Sequence, residues 1–166
     1  MPNDPRRNAR PTLRWPSAGE WNLVRVFILA LTLAIPINAA LAKSGAESPR
    51  ALHKAFTAAF NAKDLDQLIK LYEPSGALVP EPGTVVVGHT GVRAALQGFL
   101  AVPGKLKLET LYVVENGEIA LVRSQWQISD GDKINAASSG IEIMRRGADG
   151  RWRFVIDHAV GGSPTN

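Results

Sequence analysis

Apolar side chains recur at Leu52, Ala55, Phe56, Ala59 and Phe60, three or four positions apart. That period predicts an amphipathic helix over residues 49–62. Ser48 before Pro49 supplies an N-cap, followed by proline at the first helical position. Asp64 is placed to cap a second, short helix carrying Leu65, Leu68, Ile69 and Tyr72, which Pro74 and Gly76 end. Residues 77–80 and 84–87 flank Glu81-Pro82-Gly83 and read as a small hairpin. Thr90 is the expected cap of a third helix with Val92, Ala95, Leu96, Phe99 and Leu100 on one face, stopped by Pro103-Gly104.

Beyond Gly104 the period becomes two. Residues 105–115, 118–129, 133–146 and 151–158 alternate as strands. Asn116-Gly117, which signals a type I′ hairpin, Asp130-Gly131-Asp132 and Asp149-Gly150 form the turns between them. Strands joined by tight turns are antiparallel. Helices followed by such a sheet define an α+β fold, with the three helices on one sheet face.

Alternation also predicts faces. Ala120, Val122, Ser124, Trp126 and Ile128 share the inner face of one strand, with Arg123, Gln125 and Gln127 outside. Ala137, Ser139, Ile141 and Ile143 are expected inside on the next, which leaves Glu142 on the outer face. On the last strand Trp152, Phe154, Ile156 and His158 are expected inside, with Arg151, Arg153, Val155 and Asp157 outside. The inner face is then apolar at one end and carries Ser124, Ser139 and His158 at the other. An apolar cavity with a few polar groups suits a small molecule.

Composition changes the picture mainly through what it removes. The 166 residues contain no cysteine, which excludes disulfides, thiolate metal sites and thiol nucleophiles. The net charge of +4 and the pI near 9.7 would suggest nucleic acid, but residues 1–42 hold five arginines against two acids. The rest of the chain carries +1, so no nucleic-acid partner is expected. Those arginines precede or border the apolar run from Val26 to Ile35, and Ala40 and Ala42 then occupy A-x-A positions. Basic, apolar and small-residue regions in that order predict a signal peptide over 1–42, cleaved after Ala42, and hence a secreted, periplasmic protein. A membrane association is expected only if this leader stays uncleaved. Residues 43–48 read as a linker, 49–160 as the domain and 161–166 as a tail.

Four strings carry a resemblance. They are residues 51–64, residues 68–72, Gly88-His-Thr-Gly-Val-Arg-Ala-Ala-Leu96, and residues 145–158 with their Asp-Gly-Arg-Trp hairpin running into Asp157-His158. Together they make the chain resemble the SnoaL-like branch of the nuclear transport factor 2-like superfamily, over about residues 50–160. The resemblance implies a cystatin-like cone: a curved antiparallel sheet wrapped around three helices, with a pocket between them. It also implies homodimers through the outer sheet face. The superfamily includes ketosteroid isomerases, cyclases, dehydratases and noncatalytic domains, so the fold alone does not settle the chemistry.

Family members often place a pocket tyrosine at the position of Tyr72, so Tyr72 is the expected carbonyl-polarising donor. His158 is the expected acid/base. Trp126, Ser124, Ser139, Phe154 and Phe99 are the expected ligand-binding residues. His89 and Arg93 stand at the third helix's start, where an anion is favoured, though solvated first-turn residues explain them more simply. His53 is expected at the surface or rim. No metal is expected, because His53, His89 and His158 lack ligand spacing, and no cofactor is called for. The acid that many relatives carry just after the second helix is replaced here by Ser75 or Gly76. That departure favours binding of a small apolar molecule over isomerase-type catalysis, with a homodimeric assembly module as a further alternative.

Overall fold

The computed structural model describes residues 44–162. The expected leader and its cleavage site lie outside the described residues. Helix α1 (Pro49–Asn61) opens with Ser48 as N-cap, its hydroxyl accepting from Ala51 N at 3.1 Å, and buries Leu52, His53, Phe56, Ala59 and Phe60. Helix α2 (Leu65–Lys70) is capped by the Asp64 carboxylate, which accepts from Gln67 N. It ends before Tyr72, which instead begins strand β1 (Tyr72–Glu81). Strand β2 (Thr84–Val87) returns beside β1. Helix α3 (Gly88–Ala101) starts at a glycine with φ 73°, and Val87 is its N-cap. Thr90 therefore lies inside the first turn and caps nothing.

Strands β3 (Lys105–Asn116), β4 (Ile119–Asp130), β5 (Lys133–Arg146) and β6 (Trp152–His158) follow the expected boundaries within a residue. The β3–β4 turn differs in type. Gly117 has φ 59° and Glu118 is not left-handed, which is the II′ pattern rather than I′. The sheet order is β2-β1-β6-β5-β4-β3, antiparallel throughout except that β1 runs parallel to β6. Alternation could not show this pairing, because it joins segments eighty residues apart. It places Tyr72 opposite Phe154, and Leu78 opposite Asp157. The linker is also tied in: Ala46 exchanges two backbone hydrogen bonds with Trp152, at 2.9 and 2.7 Å.

The helices cover the inner sheet face. Leu52, Phe56 and Phe60 of α1, Leu68 of α2, and Val92 and Leu96 of α3 meet Leu78, Leu106, Val122, Ile128, Met144 and Phe154 in one core. Among the described residues no helix is long and apolar enough to cross a membrane.

Candidate functional site

Two strands present different faces from those expected. On β4, Ala120, Val122 and Ser124 are buried, as their alternation requires. Their partners across β5 are Met144, Glu142 and Gly140. Paired residues share a face, so Gly140, Glu142 and Met144 are the inward set, and Ile141, Ile143 and Ser139 face outward. Glu142 is 3% exposed. With glutamate inside and isoleucine outside, every side chain of the strand lies on the face opposite to the one expected, as a one-residue shift of parity requires.

On β6 the inversion is only partial. Trp152 and Phe154 are buried, as expected. Then Met144 pairs with Phe154 while Ile143 pairs with Ile156, so Val155 is an extra residue on β6. This is a β-bulge, and it flips the parity of everything after it. Ile156 turns outward at 42% exposure, Asp157 turns inward at 8%, and His158 faces away from Asp157. The expected partnership of Tyr72 and His158 is thereby lost. His158 sits across from Ile141 and Val79 on the outer side, with its ring against Gly161.

What gathers inside is a cluster of polar groups from six elements. Tyr72 donates its hydroxyl hydrogen to Asp157 Oδ2 at 2.5 Å. Ser124 donates to Glu142 Oε1 at 2.5 Å. His53 Nδ1 lies 2.8 Å from Thr110 Oγ1, and His53 Nε2 lies 3.6 Å from Glu142 Oε2. These last two atoms are buried with no hydrogen-bond partner. Glu142 and Asp157 are direct cross-strand partners on the buried face. The His53 ring stacks at 5.9 Å on Phe154, which also packs on Tyr72 at 5.0 Å.

Burial dominates the titration of every member. It pushes Glu142 up to about 8, helped by the neighbouring Asp157 and opposed by the Ser124 hydrogen bond and by Arg123. It pushes Asp157 up to about 6, opposed by the Tyr72 hydrogen bond. It lowers His53 to about 4, with Arg50 adding to the effect. The Tyr72 hydroxyl is held well above its usual range by burial and then by the negative charge of Asp157. Burial thus favours the neutral form of the His53 imidazole and of both carboxyls, and two neighbouring carboxyls out of water favour keeping a proton between them. Pairs of acids whose environments separate their titrations are what acid–base sites are made of.

Asp157 is the polar wall of a small cavity of about 40 Å³, otherwise lined by apolar groups that include Phe56, Leu96, Phe99 and Trp126. Phe99 and Trp126 meet edge-to-face at 5.8 Å, and Trp126 Nε1 donates to Ala159 O at 2.7 Å. Of the expected ligand-binding residues, these two line the cavity. Phe154 is core and Ser124 serves Glu142, so neither faces it. Ser139 lines a separate hollow of about 380 Å³ on the outer sheet face, with Gln125 and Gln127. Tyr72 reaches Asp157 rather than the cavity. Arg93 is ion-paired to Asp66 at 2.8 Å, and His89 Nε2 lies 3.3 Å from Tyr72 O. His53, expected at the rim, is 2% exposed. Among the described residues no group of three His, Asp or Glu side chains is arranged to hold a metal.

A six-stranded sheet wrapped on three helices, with a polar cluster at its heart, defines a domain of the NTF2-like class. The family model of the SnoaL-like domain matches residues 53–155, and the chain belongs to that family. Its fold is shared with a candidate calcium/calmodulin-dependent protein kinase type II association domain from Thiobacillus denitrificans, at 23% identity and a TM-score of 0.60 over 72% of this chain and 96% of that one. A ketosteroid isomerase-like protein from Erwinia carotovora is 22% identical, with a TM-score of 0.55 over 76% and 99%. A candidate dehydratase of the NTF2-like family from Streptomyces avermitilis is 22% identical, with a TM-score of 0.53 over 64% and 88%. No curated protein matches the chain.

Proposed function

We propose that this domain binds a small, largely apolar molecule in the cone and that Asp157 moves a proton on it. The observation that carries this reading is the position of Asp157: a carboxylate with a titration raised to about 6, walling an apolar cavity. A carboxylate shielded from water is a stronger base than one in solvent, and a value just below neutrality leaves it ionised and ready to accept a proton. Tyr72 orients the carboxylate by its hydrogen bond. The reaction class is proton abstraction next to an electron-withdrawing group, as in isomerisation or dehydration. Small-molecule sites usually span about 300–1,000 Å³. Entry therefore requires the edge-to-face pair Phe99–Trp126 to swing apart.

5-Nitrobenzisoxazole, a planar apolar probe whose ring opens when a base removes its one acidic C–H proton, tests the reading. The wild-type protein should open the ring faster than the same concentration of acetate, with a rate that rises through about pH 6, and Asp157→Asn should return it to background. Equal rates for wild type and Asp157→Asn would remove Asp157 as a base.

The oligomeric state is a homodimer in this reading, supported by one feature. Val114, Leu121, Ile143, Ile156 and Ala77 are successive cross-strand partners, forming an apolar row across five strands of the outer face. Export by residues 1–42 belongs to the proposal on the strength of their basic-apolar-small order alone.

A further inference from the structure

We propose that Glu142 is the positioning partner of Asp157: the two form one buried carboxyl pair that carries a single negative charge, with the proton kept on Glu142 by His53 and the charge left on Asp157. This rests on the reading of Asp157 as the base and adds the residues that set its charge.

The geometry is specific on each point. Glu142 and Asp157 stand directly opposite across β5 and β6 on the buried face. Like charges so placed cannot both persist out of water, so one carboxyl keeps a proton. The hydrogen-bond partners decide which one. Asp157 receives the Tyr72 hydroxyl hydrogen, which favours its ionised form. Glu142 receives a hydrogen from Ser124 on Oε1, but its Oε2 faces His53 Nε2 and both atoms lack any other partner. A proton on Oε2, with His53 Nε2 as its acceptor, satisfies both at once when the 3.6 Å gap closes by about half an ångström. His53 then carries its own hydrogen on Nδ1, which donates to Thr110 Oγ1. The reverse arrangement, imidazolium beside carboxylate, is opposed by the burial of the ring and by the positive charge of Arg50.

The fold keeps a place for the Glu142 carboxyl. A Cβ on Gly140 would overlap Glu142 Oε1 and come within 2.7 Å of Ser124 Oγ. Glycine at that position leaves the volume into which the carboxyl folds. The groups facing the pair are His53 and, behind it, Arg50 from α1, Tyr72 from β1, and Ser124 with the more distant Arg123 from β4. Thr110 also lines an open groove of about 710 Å³ between α1 and β3, so the chain Glu142–His53–Thr110 leads from the pair toward solvent on the side away from the apolar cavity.

The test follows the carbon-13 shifts of the Asp157 and Glu142 carboxyls in the full-length protein from about pH 4 to about pH 10, since coupled acids report each other's ionisation. In the wild type Asp157 should show a main step near 6 and a smaller second step near 8 as Glu142 loses its proton. Glu142→Gln should abolish the second step and keep the first. Ser124→Ala, which removes a donor to the ionised form, should move the second step to higher pH. An Asp157 titration unchanged by Glu142→Gln, or a Glu142 resonance that is ionised throughout the neutral range, overturns the proposal. The ring-opening assay separates the two readings. If Asp157→Asn opens the ring as fast as wild type while the two-step titration stands, the base fails and the carboxyl pair survives.

Discussion

Replacing Glu142 by glutamine should change how stability depends on pH, and the change can be worked out in advance. Glu142 has a folded titration near 8, against 4.5 when unfolded. Between those values the native state holds a proton that the unfolded state has released, so rising pH favours unfolding. His53 acts oppositely, because its folded value of about 4 lies below its unfolded 6.5. It adds stability as pH rises, but only up to about 6.5. Asp157, raised to about 6, has finished its own loss by then. The window from about 6.5 to about 8 therefore isolates Glu142. One proton of difference is worth about 1.4 kcal/mol per pH unit, or roughly 2 kcal/mol across the window. That is a sizeable part of the 5–15 kcal/mol typical of a domain. Glutamine reproduces the protonated carboxyl: its oxygen accepts from Ser124 and its amide donates to His53. Glu142→Gln should match the wild type near pH 6.5 and exceed it by roughly 2 kcal/mol near pH 8. Urea unfolding at several pH values, followed by the fluorescence of the buried Trp152 and of Trp126, reads both curves. A wild type that is flat in this window, or a slope that persists in Glu142→Gln, would refute the protonated Glu142.

Tyr72→Phe removes the donor that holds Asp157 ionised, so the lower titration step should rise by about one pH unit, the worth of a hydrogen bond to a charged group; the carbon-13 titration checks it. Gly140→Ala should cost about 1–3 kcal/mol in urea unfolding, because the new methyl group overlaps the Glu142 carboxyl and neither strand can retreat without disturbing the ladder. Ile143→Arg places a charge in the middle of the outer apolar row, and a dimer built on that row should become a monomer in sedimentation at micromolar concentration, with the fold unchanged by circular dichroism.

Most of the architecture was legible because it depends on periods and punctuation. The helical spacing of Leu52, Phe56 and Phe60, the caps Ser48 and Asp64, and the glycine turns at 117, 131 and 150 each act within a few residues of themselves. The face of β4 was equally legible, since Val122, Ser124 and Ile128 alternate against Arg123, Gln125 and Gln127. The site was legible only in part, and the reason is specific. On β5 the apolar residues Ile141 and Ile143 lie outside and the acid lies inside, so hydrophobicity pointed the wrong way. The pairing resolves it, because Gly140, too small for its own inward position to be filled, faces Ser124 and leaves room for Glu142. On β6 the bulge at Val155 leaves no mark in the alternation. The parallel pairing of β1 with β6 is a long-range contact, invisible to any local period, and it brings Tyr72 beside Phe154 and the Asp157 carboxylate. The second helix is followed by Ser75 and Gly76, and the buried carboxylate beside Tyr72 comes instead from β6, through a pairing no local pattern shows.

The bulge also links the inside of the cone to its outside. One extra residue at position 155 turns Asp157 toward the cavity and, by the same half-turn, turns Ile156 outward into the apolar row beside Ile143. Without the bulge Ile156 would be buried opposite Glu142 and Asp157 would face outward opposite Ile141. The inward carboxylate and the outward place of Ile156 in the apolar row are thus two consequences of a single backbone irregularity. Ile141 and Ile143 repeat the arrangement on β5, where the same alternation that buries Glu142 turns them to the outer face, half-buried. Two buried carboxyls are costly, and Ile156 left facing outward forgoes part of the roughly 1.5–3 kcal/mol that a fully buried isoleucine contributes. The observed arrangement gives up that stability on both faces at once. In the proposed reading the two expenditures have separate uses, a base held out of water on the inner face and a partner's docking row on the outer one. A dimer would recover part of the loss by covering Ile143 and Ile156, and would press on the same two strands that hold Glu142 opposite Asp157.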